Sequence, residues 1–368
     1  MNENYKNLLY LLSCAVNNIT PDTARICSID LEQLYRLAKF HSVRAAVYIA
    51  LKRAGVQNNT YDQAYKKAIR KNIYLDMERS AIIADFEQHG IWYMPLKGSV
   101  LKDLYPENGM REMSDNDILF DADKREQSRE IMLAHGYIVK EYCDSNHDAY
   151  HKPPVLNFEL HTALFDEKYA NNPFFRYYFD VKRLLQKDED NNYGYHFSDE
   201  DFYVFMTTHE WKHFSNSGTG IRSLLDCYVY CKVKGENLDW DYITEQCEQL
   251  NISDFEQQRR ALALKVFSSD TLPNLSDREQ EMLMYYLTAG TYGTLENNVN
   301  NKLKDHTKVE YILSQLFPSV SYMKRSVIFV RKYPVLYPVG IVYRWGRILV
   351  KRRDELKKTI KTVNKYGK

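Results

Sequence analysis

The sequence predicts an α+β protein, with a small, mostly mixed β-sheet over residues 89–170. An N-terminal helical region (1–88) and a larger helical C-terminal domain with a basic tail (171–368) are expected to flank it. Three observations predict this. From Leu31 to Gln88 apolar residues recur every three or four positions with charges between them, which is helical spacing. Between Gly90 and Phe165 short apolar runs of strand length alternate with turn residues. Beyond Asp166 helical spacing resumes. A chain of 368 residues exceeds the usual size of one hydrophobic core, so two or three domains are expected.

Taken in order, Leu8–Val16 is apolar and short, like the core of a secretory signal. Glu3 stands where such signals are basic, however, and no small-x-small cleavage site follows. Leu8, Leu9, Leu11 and Leu12 instead fit the inner face of a packed helix. Leu31, Leu34, Leu37 and Ala38 form the stripe of the next helix, ahead of His41, which is expected to be a packing histidine. Val43–Ala54, ended by Gly55, and Tyr61–Gln88, ended by His89-Gly90, complete the region. The run Lys66, Lys67, Arg70 and Lys71 reads as a solvated helix face.

In the middle of the chain, Ile91–Met94 reads as a buried strand that stops at Pro95. Lys97-Gly98-Ser99 makes a turn, and Val100, Leu101, Leu104 and Tyr105 continue at helical spacing from near Ser99. Asp115–Phe120 is the second strand. Its Asn116 is polar where an apolar residue would suit a buried strand, so the face opposite the aspartates is expected to be less buried at that strand end. Lys124–His135 is an amphipathic helix and Tyr137–Val139 a strand. Asp144–Lys152 is polar and runs into Pro153-Pro154, which places His147 and His151 in a loop. Val155–Phe165 holds one more strand.

Side chains two apart share a strand face, so Asp115 and Asp117 point the same way. Two carboxylates that close repel unless a cation lies between them, and hard divalent metals such as Mg²⁺ take oxygen ligands. Glu159, between Phe158 and Leu160, supplies a third carboxylate, with His161 on the same face. Gly98 lets backbone approach a ligand closely, and amides at a new helix suit phosphate. The alternative is that these carboxylates only cap turns and pair with nearby Lys or Arg.

Together, the Gly-Ser turn, the Asp-x-Asp strand and the later apolar-Glu-apolar strand resemble the nucleotidyltransferase superfamily that includes DNA polymerase β. More narrowly, LKGSVLKDLYPENGMREMSDNDILF, FELH and THEWKHFSNSGTGIRSLLDC are similar to the bacterial family of uncharacterised nucleotidyltransferases, from about Leu96 to Asp226. The resemblance implies transfer of a nucleoside monophosphate from an NTP to an acceptor hydroxyl. Two Mg²⁺ would be held by Asp115, Asp117 and Glu159, and Glu159 would be the general base. Gly98 and Ser99 would cradle phosphate while Lys97 and Arg111 offset its charge. His161 and Arg222 would join the nucleotide site, and His209, Arg222 and Asp226 would approach the cleft. The alternative for Arg222 and Asp226 is an ordinary i,i+4 helix pair. A silent nucleotide-binding or surface-docking protein is the rival to an enzyme.

Fifty Lys and Arg against 49 Asp and Glu leave no global field for nucleic acid. The six cysteines follow no zinc spacing, which points to a cytoplasmic chain, and Cys227 and Cys231 read as small residues on one helix face. His209 and His213 stand one helical turn apart, and a zinc site there would need Asp226, Glu210 or another third ligand. Residues 324–368 differ from the rest: fourteen Lys and Arg meet only Asp354 and Glu355, a local excess of about +12. Tyr333–Val350 adds aromatics and aliphatics interrupted by Pro334, Pro338 and Gly340. This stretch fits an anionic membrane, making the protein peripheral, or RNA. It also fits a terminal helix packed on the body.

Overall fold

The computed structural model describes residues 1–305, 307–351 and 353–366. The chain forms two compact units, one of Met1–Trp211 with Gly220–Thr291, the other of Lys212–Thr219 with Tyr292–Lys368.

The first unit opens with helices α1 (Glu3–Val16), α2 (Thr23–Cys27), α3 (Leu31–Phe40), α4 (Arg44–Arg53) and α5 (Asn59–Gln88). Asn2, Asp22, Asp30 and Asn58 accept bonds from first-turn N–H groups of α1, α2, α3 and α5, which fixes where these helices begin. Every residue from Leu8 to Val16 is buried, so the apolar run near the N-terminus is a core helix.

Strand β1 (Tyr93–Pro95), the single-turn helix α6 (Gly98–Leu101), β2 (Asn116–Phe120), α7 (Arg125–Ala134), β3 (Ile138–Glu141), β4 (His147–Lys152) and β5 (Leu156–His161) follow. The sheet order is β1-β2-β5-β4-β3, with β2 and β5 parallel and the other neighbours antiparallel. The sheet is therefore small and mixed, as the sequence predicts. One face packs Ile118, Phe120, Phe158 and Leu160 against Leu75, Ile82 and Phe86 of α5 and Ile131 and Met132 of α7. Asn116 corrects an expectation, because it is fully buried on this core face. Its amide donates to the Leu75 carbonyl (2.8 Å) and its oxygen accepts from Arg79 (3.0 Å), so the polar group is satisfied. A second correction concerns His147 and His151. They lie on β4, and the alternation His147, Ala149, His151 marks one face of a strand.

Helices resume with α8 (Pro173–Tyr177), α9 (Asp199–Phe214), α10 (Ile221–Lys234), α11 (Trp240–Gln249), α12 (Ser253–Phe267) and α13 (Asp277–Ala289). Between α8 and α9 a two-stranded ribbon, β6 (Leu185–Lys187) and β7 (Tyr195–Phe197), departs from the all-helical expectation. Buried Arg259 of α12 is held by Glu210 (2.9 Å) and Thr207 (2.9 Å) of α9, and Tyr286 of α13 donates to the same glutamate (2.6 Å).

His41, at the end of α3, is wholly buried. Its Nε2 lies 3.1 Å from the Leu287 carbonyl, and its Nδ1 accepts from the Ile221 N–H at 3.3 Å. A carbonyl only accepts and an N–H only donates, so these partners select the neutral ring protonated at Nε2. Burial pushes its pKa down to about 4, with the Leu287 bond opposing weakly. A ring whose folded pKa lies below its unfolded value stabilises fully above pH about 6.5, and that contribution is lost as pH falls through 4. The loss amounts to about 3 kcal/mol. The urea midpoint should fall across this window, and His41→Gln should flatten the fall. An equally steep curve for the variant would assign the acid sensitivity elsewhere.

The second unit carries α14 (Leu295–Asp305), α15 (Lys308–Leu316), α16 (Val320–Ser326), α17 (Ile328–Lys332), α18 (Tyr337–Lys351) and α19 (Arg353–Tyr366). Val299, Tyr311 and Val363 bring α14, α15 and α19 together, and Met323, Val327, Val330 and Ile341 bring α16, α17 and α18 together. Helix α18 runs through Pro338 and Gly340. A proline in the first turn forfeits no helical hydrogen bond. Gly340 is needed for contact, since a Cβ there would sit 2.4 Å from Val330 Cγ2.

Candidate active site

After β1, the Leu96 N–H donates to the Asp117 carbonyl at 2.9 Å and draws the turn alongside β2. Lys97 then adopts φ 49°, a left-handed conformation unfavourable for a residue with a side chain. Such strain costs about 1–3 kcal/mol and collects at functional sites. Gly98 opens α6, and a Cβ there would lie 2.6 Å from Arg111 Nη1 and 2.9 Å from Met113 Cε. Only glycine lets the turn approach the Arg111 side chain so closely. Buried Ser99 donates from its hydroxyl to the Leu96 carbonyl (2.7 Å), closing the turn.

The sheet face opposite α5 carries the acidic residues. In the parallel β2–β5 pair, Asp117 is the partner of Glu159 and Leu119 of His161, so Asp117 and Glu159 stand side by side. His161 Nε2 donates to Asp117 Oδ1 at 2.8 Å and lies 3.6 Å from Glu159. The Lys97 ammonium donates to the same Asp117 oxygen at 2.9 Å. Burial opposes ionisation of Asp117, but the charge of Lys97 and the His161 bond outweigh it and hold the carboxyl well below its usual range. The His161 bond likewise lowers Glu159 against its own burial. Asp115, just before β2, moves the other way: burial, and then the Asp117 charge, push it up, against a 2.6 Å bond from the Ser114 hydroxyl. Neighbouring carboxyls pushed apart in this way are common where a site handles charge or protons, and also arise in structural ion-pair networks.

Three of these residues could hold a divalent metal ion between them. One ligand atom from each of Asp117, Glu159 and His161 lies within 4.8 Å of the others. Asp117 already attracts an ammonium, and the buried His161 Nδ1 has no hydrogen-bond partner among the described residues. Sequence reasoning missed His147. It is the antiparallel partner of His161, and the two rings are 5.2 Å apart. Its signal was the alternation along β4, hidden by the Pro-Pro that follows.

Arg111 is buried, and one edge of its guanidinium is taken by both oxygens of Asp226 of α10, Nε to Oδ1 at 2.8 Å and Nη2 to Oδ2 at 2.9 Å, while Nη1 meets Met113 Sδ at 3.0 Å. Tyr105 adds a third bond to Asp226 at 2.6 Å. Asp226 thus serves Arg111 and Tyr105, and Arg222 Nη1 donates to the Glu112 carbonyl at 3.2 Å. Asp226 and Glu210 are thus both engaged with arginines, and no third ligand joins His209 and His213 among the described residues. Arg44, at the start of α4, grips the Glu112 carboxylate and pins the loop before β2. Lys97, Gly98, Asp117, Glu159 and His161 therefore converge directly. Asp115 lies beside them, Arg111 lies against Gly98, and Arg222 braces the loop that carries Arg111.

Residues 28–268 match the model of a family described as uncharacterised nucleotidyltransferases. No curated protein matches the chain. Among solved structures, an antigenic nucleotidyltransferase-like protein from Paracoccidioides brasiliensis is similar with a TM-score of 0.35 at 14% identity. That similarity covers 53% of this chain and 92% of the other.

Proposed function

Because the chain belongs to the family of uncharacterised nucleotidyltransferases, we propose that it transfers a nucleoside monophosphate from an NTP to an acceptor hydroxyl and releases pyrophosphate. The observation that carries this reading is the side-by-side register of Asp117 and Glu159, with His161 completing a ligand set beside the Lys97–Ser99 turn. Asp115, Asp117 and Glu159 would hold Mg²⁺, two ions in the full reading, whose Lewis acidity supplies charge to the acceptor oxygen and the leaving group. The Gly98–Ser99 turn receives phosphate oxygens at backbone distance. Lys97 sets a positive charge next to them, and Arg111 backs the turn through its contact with Gly98. The acceptor oxygen attacks the α-phosphorus as the bond to the bridging β-phosphate oxygen breaks, and that electron pair leaves with pyrophosphate. Glu159 has the more exposed side chain, 33% against 10% for Asp117, and takes the acceptor's proton.

The test is incubation with each of the four NTPs, Mg²⁺ and fractionated lysate. Pyrophosphate release and labelled acceptor are followed by mass spectrometry. Both should appear together, stop on chelation and return with added metal. Saturable nucleotide binding with no pyrophosphate from any NTP would reduce the site to nucleotide capture.

A further inference from the structure

The second unit holds a surface that the nucleotidyl-transfer reading does not use. Helix α18 turns Tyr337, Gly340, Ile341 and Trp345 inward against α16 and α17. Its opposite side is apolar as well. Val335, just before the helix, and Val339, Val342 and Leu349 within it are 84, 57, 63 and 60% exposed. Their steps of four, three and seven place them on one stripe. An ordinary surface helix would carry polar residues there.

The charge around the stripe is of one sign. From residue 311 to residue 353 the sequence contains nine Lys and Arg and not one Asp or Glu. Lys332, at the end of α17, and Arg347, within α18, are exposed. Tyr322, Ser326, Tyr343, Arg344 and Arg347 line a cavity of about 250 Å³ in the same unit, with Val327 and Ile348 as its apolar wall. It offers guanidinium and hydroxyl donors, the groups that bind phosphate oxygens. Arg344 is steadied there by its bond to the Gln315 carbonyl (2.7 Å) and its place over the Tyr322 ring.

We propose that this face of α18 docks on an anionic lipid membrane. The aliphatic stripe would enter the headgroup boundary while exposed Lys332 and Arg347 meet lipid phosphates. The charge is complementary to such a surface, and an amphipathic helix with Arg and Lys beside an apolar stripe lies in the interface plane. No helix among the described residues is long and apolar enough to cross a membrane, so the mode would be lying on it. A second copy of the chain is a poorer occupant, because two such faces would bring arginines against arginines. Single-stranded RNA is poorer too. Valine and leucine have no ring to stack on bases, while Trp345 packs edge-on to Phe317 with its indole N–H on the Leu316 carbonyl, and Tyr343 packs edge-on to Phe329.

The test uses the full chain in vesicle flotation, with phosphatidylcholine alone or mixed with phosphatidylglycerol. Binding should require the anionic lipid and weaken with salt. Val339→Asp with Val342→Asp should lower partitioning by about tenfold or more. Lys332→Glu with Arg347→Glu should lower it similarly and flatten the salt dependence. Thermal melts should match the parent, because all four residues are exposed. If the valine pair were to unfold the protein, the charge pair alone would decide the matter. Unchanged flotation of a folded variant overturns the proposal. So does binding to single-stranded RNA without vesicle binding, or a dimer of the free chain that the valine changes dissolve.

Discussion

Asp117→Asn should lower nucleotidyl transfer by at least about a thousandfold, or roughly 4 kcal/mol of transition-state stabilisation. The change keeps the side-chain volume but removes the charge that Glu159, His161 and Lys97 surround. Sequence alone leads one to expect a metal-free cluster of like charges, so that the substitution would leave the resting fold equally or more stable. The structure changes that expectation. The Lys97 ammonium already offsets the charge of Asp117, His161 is hydrogen-bonded to it, and the variant leaves a largely buried ammonium without its anion. The metal-free variant should therefore lose about 1–3 kcal/mol. Melting without metal no longer separates a catalytic carboxylate from a structural one, but ligand response still does. Mg²⁺ with NTP should raise the melting temperature of the parent by mass action and do much less for the variant. Equal stabilisation of both proteins, with activity within about tenfold, would remove Asp117 from the metal site.

The second large effect should come from Asp226→Ala. Arg111 is 8% exposed and donates both of its carboxylate bonds to Asp226, which also accepts from the Tyr105 hydroxyl. Truncating the acid strands a buried guanidinium, which costs about 3–5 kcal/mol. That is a large share of the roughly 5–15 kcal/mol that holds a typical domain folded. Adding Arg111→Met should restore most of the loss, because the stranded charge rather than the missing pair carries the penalty. Urea midpoints of the parent, the two single variants and the double variant give the cycle. A loss below about 1 kcal/mol for Asp226→Ala would mean that water reaches the pair in solution. Arg111→Lys, made with Asp226 in place, keeps a charge for the acid but lacks the planar fork. Nucleotide titrations of that folded protein separate the roles of the arginine. A loss confined to triphosphates marks direct phosphate contact, and equal losses for mono- and triphosphates mark support of the Gly98 turn.

The acidic residues were legible in the sequence because strand period two is strict. Once Ile118 and Phe120 are assigned to the core, Asp117 must face away, and Glu159 between Phe158 and Leu160 follows the same rule. Asn116 was misread because polarity was taken for exposure, while its amide found Leu75 and Arg79 on a helix far back in the chain. The Arg111–Asp226 pair spans 115 residues, and no local pattern announces it. Lys97 read as a phosphate ligand. Its bond to Asp117 depends on a backbone twist and on strand pairing that local propensity does not encode. The β6–β7 ribbon escaped because three-residue strands are too short to show a period.

Helix α1 has a further consequence, one of timing. Its Ser13 hydroxyl and the Asn17 amide just beyond it both donate to the Phe267 carbonyl at the end of α12, across sequence separations of 254 and 250 residues. During synthesis α4 arrives early enough to cover part of α1. The surface destined for α12 waits while the ribosome adds the rest, roughly 12–50 s at ordinary elongation rates. Nine consecutive buried residues thus emerge well before the helix that encloses them. A nascent chain stalled before Phe267 should recruit holding chaperones through Leu8–Val16, and release them once α12 has left the exit tunnel.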